Sequence, residues 1–142
     1  MARRMEVKRE GNGYVIIDGE ARIGPITSRA VAFAEVQARG GRVHLAWRRT
    51  VIGGNVVPRS FQASFEDEDG GSIAKNEHGG FTLGSWQAFA GGLNKETNRY
   101  GTGTQIVDTK DEAVEFVERQ FTRLMAGDAK PLSNAYSKAK GE

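Results

Sequence analysis

The chain contains no cysteine, two histidines and only three prolines among its 142 residues. Without cysteine there is no disulfide framework, no thiolate metal ligand and no thiol nucleophile, and such a chain suits a reducing compartment. The two histidines, His44 and His78, are far apart, show no zinc-ligand spacing and sit in no nucleophile motif. Long apolar runs are also missing, so no segment is expected to span a membrane. The opening Met1-Ala2-Arg3-Arg4-Met5-Glu6 is charged and lacks an apolar signal core. The expected location is cytoplasmic.

Ligand loops are equally hard to find. The acidic run Glu66–Asp69 suggests calcium, but a calcium loop starting at Asp67 would put His78 where a glutamate is required. Gly91-Gly92-Leu93-Asn94-Lys95-Glu96-Thr97 has neither a glycine directly before its lysine nor a hydroxyl directly after it, so it is no Walker loop. Gly101-Thr102-Gly103 precedes a predicted strand instead of following one, which excludes a dinucleotide fingerprint. No catalytic residue, metal ligand or cofactor is assigned. The expected function is binding without catalysis.

What the chain does have is glycine, 19 residues of it, with 38% apolar and 27% charged residues and a net charge of +2. The apolar content suffices for a core, and abundant glycine suits tight turns between short strands. Met5–Glu10 reads as a first strand, followed by the turn Gly11-Asn12-Gly13, the β-branched run Tyr14–Ile17, a hairpin turn at Asp18-Gly19 and a return strand to Ile23. Gly24-Pro25 breaks that strand. Thr27 or Ser28 caps a helix carrying Ala30, Phe33, Ala34 and Ala38, which Gly40-Gly41 ends. Residues 42–52 alternate, with Val43, Leu45, Trp47 and Val51 on one side, and residues 56–65 alternate again, so the two form a long antiparallel hairpin. Ser72–Lys75 is a short strand. Phe81-Thr82-Leu83 and Trp86-Gln87-Ala88-Phe89 are apolar enough to be buried, in helix or strand. Gly91–Gly103 reads as a long polar loop.

Thr104–Val107 is a strand, and Thr109 with Glu112 has capping-box spacing ahead of the apolar stripe Ala113, Val114, Val117, Phe121, Leu124 and Met125, with Glu115, Glu118, Arg119 and Arg123 toward the other face. Ile23, Ala30, Val31, Phe33 and Glu35 align with Ile106, Ala113, Val114, Phe116 and Glu118 at a constant offset, the pattern either of a duplicated strand–helix unit or of chance. The expected fold is α+β: an antiparallel sheet of about five to seven strands with two helices in one domain over residues 1–126, then a flexible basic tail over 127–142.

Three kinds of partner follow. If Leu45 and Trp47 point inward, Arg42, His44 and Arg48 face water beside Ser60, Gln62 and Ser64, and could contact phosphates of DNA or RNA. Arg49 lies on the inward side. Lys95, Arg99 and Tyr100 add cations and a ring for base stacking. Alternatively Trp86, Phe89 and Tyr100 anchor a protein partner, making the chain an adaptor or inhibitor. Thirdly, the chain is a structural subunit whose long hairpins pair edge to edge.

Overall fold

The computed structural model describes residues 2–66, 68–77 and 83–132. The turn around His78, the apolar Phe81-Thr82 and the tail beyond residue 132 lie outside the described residues. The chain forms two compact units, one made of residues up to His44 and from Thr122 onward, the other of Leu45–Phe121.

The first unit is a four-stranded sheet in the order β3-β2-β1-β4 with one whole helix and, from Thr122, the end of a second. Strands β1 (Arg3–Glu10), β2 (Gly13–Asp18) and β3 (Ala21–Ile26) form the expected antiparallel meander. Its turns use Gly11 and Gly19 at φ 59° and 61°, conformations that cost glycine little. Gly24-Pro25 does not end β3, which runs on to Ile26. Because β3 is an edge strand, a residue lacking an N–H leaves no ladder bond unmade. Helix α1 (Arg29–Ala38) starts at Ser28, whose Oγ accepts the Val31 N–H at 3.2 Å. It buries Ala32, Phe33 and Val36, while Met5, Val7 and Val43 are buried in the sheet. Strand β4 (Gly41–Val43) pairs parallel with the start of β1.

The second unit is an antiparallel sheet in the order β5-β6-β7-β8-β9. Its strands are β5 (Ala46–Ile52), β6 (Asn55–Phe65), β7 (Glu68–Lys75), β8 (Trp86–Asn94) and β9 (Arg99–Val107). Helix α2 (Lys110–Ala126) follows β9. The α+β class, both helices, the meander and the long hairpin agree with the sequence; the strands divide into a sheet of four and a sheet of five. Against one face of the larger sheet, α2 packs Phe121 on Phe65, with ring centroids 6.1 Å apart. Close approach is made possible by missing side chains: a Cβ on Gly71 would lie 3.0 Å from Val117, and one on Gly103 3.3 Å from Phe116. Thr109 caps α2 as its spacing to Glu112 predicts: its hydroxyl accepts the Glu112 N–H at 3.2 Å and donates to the Glu112 carboxylate at 3.0 Å.

Four local expectations are corrected. Residues 42–52 are not one strand: β4 and β5 belong to different sheets, separated by His44-Leu45. Gly91–Gly103 is not a loop but most of the β8–β9 hairpin, whose unbroken register runs from Trp86↔Val107 to Asn94↔Arg99. Glycine lowered the apparent strand content there, yet it is what lets α2 approach the sheet. Of the two readings of Phe89, buried or an exposed anchor for a partner, burial is corrected: it is 47% exposed, because it alternates with the buried Ala88 and Ala90. Glu118 was placed toward solvent and is fully buried.

Candidate functional site

The β5–β6 pairing jumps from Arg49↔Phe61 to Val51↔Val56, so Thr50 faces the four residues Val57–Ser60. Arg59 adopts φ 53° in this bulge, and Ser60 Oγ donates to Thr50 Oγ1 at 2.9 Å across it. A bulge re-aims the side chains of its strand. Here it brings Pro58 and Arg59 to the rim of a groove of about 500 Å³, lined also by Arg49, Phe61, Lys75, Trp86 and Lys110.

Register explains why these residues meet. Arg49 is opposite Phe61, Phe61 opposite Ile73, and Lys75 opposite Trp86. Directly opposed residues project on the same face of a sheet, here the face that bears Ala63, Ile73 and Ala88. Trp86 is in turn opposite Val107, and α2 begins shortly afterwards at Lys110. The groove therefore sits where the helix-covered face continues past the first residue of α2. Phe61 and Trp86 stack with centroids 6.4 Å apart and planes inclined by 30°. Lys110 Nζ lies 4.1 Å from the centre of the Phe61 ring, a cation–π distance.

In the first unit Arg3 pairs with Asp18, Arg22 with Glu10, and Arg39 with Glu35. In the groove Arg59 pairs with Glu77. Arg49, Lys75 and Lys110 make no ion pair among the described residues. Four cations line the groove with one of them paired, Arg59 to Glu77, while Asp111 and Glu112 share the first turn of α2 with Lys110; the half-buried rings of Phe61 and Trp86 offer a stacking surface.

No protein-family model matches the chain, and no curated protein or solved structure is significantly similar to it.

The sequence-based candidates do not converge on this groove. Arg42 is corrected outright: expected in water, it is 6% exposed and donates to the Ala2 carbonyl. The reason is that β4 lies beside β1 in the smaller sheet, so the outward side of the supposed long strand is not a solvent face at that point. His44 is exposed, but it belongs to the first unit. Arg48 does face water on the far side of the larger sheet, near Gln62 Oε1 at 3.4 Å and Ser64 Oγ at 3.3 Å. Lys95, Arg99 and Tyr100 are exposed around the β8–β9 turn. That turn is at the opposite end of β8 from Trp86, about 27 Å away at the strand rise of 3.4 Å per residue.

Trp86, Phe89 and Tyr100 do not form one protein-binding patch. Trp86 alternates with Phe89 along β8, so the two project on opposite faces, and Tyr100, opposite Leu93, shares the face of Phe89. Arg49 was the available clue to the groove. It is a charge at an inward position of an apolar alternation, which must either be paired or reach an opening.

Proposed function

We propose that this chain binds single-stranded nucleic acid in the groove of the larger sheet. Arg49, Arg59, Lys75 and Lys110 hold backbone phosphates, and a base stacks against the Phe61–Trp86 pair. The observation that carries this reading is the convergence of those four cations around two stacked rings, with Arg49 and Lys75 free of ion pairs among the described residues. Cationic side chains neutralise phosphates, and a ring accepts any base, so the combination suits sequence-tolerant single-strand binding. The groove volume of about 500 Å³ falls within the range of small-ligand sites, roughly 300–1,000 Å³. That size accommodates a nucleotide unit and not the width of a duplex, whose bases are in any case stacked on each other.

The test is fluorescence anisotropy with labelled single-stranded RNA, single-stranded DNA and duplex DNA over a range of salt. With up to four phosphates contacted, log K should fall with log salt at a slope of about −3 for single strands. Trp86→Ala should weaken binding by about 5- to 150-fold, the loss of one stacked base. Equal affinity for duplex, no binding at low salt, or an unaffected Trp86→Ala variant would each refute the proposal.

A further inference from the structure

Among the described residues the two sheets present four edges, and three of them carry a recognised defence against pairing with another chain. Edge β3 holds Pro25 and Arg22, edge β4 is three residues long, and edge β5 carries Arg48 and Arg49 in mid-strand. Proline, brevity and charge are the devices by which edges avoid association. Edge β9 has none of them. It is nine residues long, Arg-Tyr-Gly-Thr-Gly-Thr-Gln-Ile-Val, and its single charge is at its first residue. Among the described residues, no backbone hydrogen bond outside the regular ladders reaches it.

We infer that β9 is a docking edge for a second copy of this chain, pairing antiparallel about a two-fold axis at Gly103 to give a continuous ten-stranded sheet. The self-complementarity of β9 argues for a second copy. With Gly103 opposite its own copy, Tyr100 falls opposite Ile106 of the second chain, and this occurs twice by symmetry. Tyr100 and Ile106 are 74% and 53% exposed and share a face of β9 with the partly exposed Phe89 next to them on β8. An aromatic opposite a β-branched residue is a favourable cross-strand pair. Arg99 falls opposite Val107, so no like charges meet. Within one chain Tyr100 and Ile106 are six residues apart on one strand, about 20 Å, and cannot pair with each other.

Sedimentation equilibrium of the full chain tests this. The wild type should show a concentration-dependent species of twice the chain mass. Tyr100→Lys with Ile106→Lys sets two introduced lysines against each other across the axis and should abolish it with an unchanged circular-dichroism spectrum. Tyr100→Glu with Ile106→Lys replaces each apolar pair by an ion pair and should restore it. Because the chain has no cysteine, Thr104→Cys offers an independent readout. In this register the two introduced thiols would lie about 7–8 Å apart on the diagonal, so a short bismaleimide should link two chains. A wild type that remains monomeric, a dimer indifferent to the double-lysine variant, failure of the glutamate–lysine variant to restore it, or no cross-link at residue 104 would overturn the inference. Single-strand binding in the groove is measured separately and does not depend on the outcome.

Discussion

Trp47 donates its indole N–H to the carboxylate of Glu118, 71 residues away in sequence, at 3.0 Å. The same carboxylate oxygen, Oε2, accepts the backbone N–H of Leu45 at 2.9 Å. One buried side chain of α2 thus satisfies two donors where the chain enters β5. Removing the acceptor leaves both donors unsatisfied, at about 1–3 kcal/mol for each buried group. Glu118→Ala should therefore lower stability by about 2–4 kcal/mol in urea unfolding with an unchanged m-value. Glu118→Gln keeps an acceptor oxygen and should lose less. If Glu118→Ala is within about 0.5 kcal/mol of wild type, the range of ordinary surface changes, the two bonds have no energetic role.

Gly71 separates a steric limit from a conformational preference. It has φ 137°, and a Cβ there would lie 2.2 Å from the Phe89 carbonyl oxygen. Gly71→Ala should cost about 3 kcal/mol or more, since backbone must move. Gly103→Ala, whose added Cβ would meet only the Phe116 ring, at 3.3 and 3.8 Å, should cost about 1 kcal/mol or less. Denaturant midpoints of the two variants provide the comparison.

The caps of the two helices should contribute alike. Ser28→Ala and Thr109→Ala each remove a side-chain acceptor from an N-terminal N–H, an effect of about 1 kcal/mol in most helices. Thermal unfolding followed by far-UV circular dichroism should show both variants melting a few degrees lower. A larger loss for Thr109→Ala would reflect the additional bond to Glu112.

Groove residues should divide by what they touch within the protein. Lys110 lies over the Phe61 ring, and Lys110→Ala should remove about 0.5–1 kcal/mol of stability. Lys75 has no ion pair among the described residues. Lys75→Ala should leave the melting temperature unchanged while reducing the salt slope of single-strand binding by about 0.7. A stability loss for Lys75→Ala with an unchanged slope would mean that this lysine serves the fold and not a ligand.

The elements most legible in the sequence were those with a local cause. Ser28 and Thr109 cap because a hydroxyl competes for a backbone N–H within three residues, whatever lies elsewhere in the chain. The turn at Gly53-Gly54 forms because both residues have positive φ, 58° and 82°, as a two-residue hairpin loop requires. The aligned pair Glu35 and Glu118 is a partial case. Both lie on helices that follow a strand and both are buried, at 1% and 0% exposure, yet their polarity alone pointed to water. The donors to Glu118, Leu45 and Trp47, are distant in sequence and lie beyond the reach of helical periodicity, whereas Arg39, which pairs with Glu35, is one helical turn on at i+4.

Local propensity and two-residue periodicity determined both helices, the meander and the β5–β6 hairpin, because those preferences act within one turn or one pleat, but not the glycine-rich β8–β9 hairpin. Tertiary structure decided which strand joins which sheet, and with it the fate of every cation. Arg42 is buried because β4 pairs with β1. Arg49, Arg59, Lys75 and Lys110 share a groove because register across three strands and a bulge in β6 bring them together. Pairing is a choice among partners far apart along the chain, made by total burial and hydrogen-bond satisfaction, and no single segment encodes it.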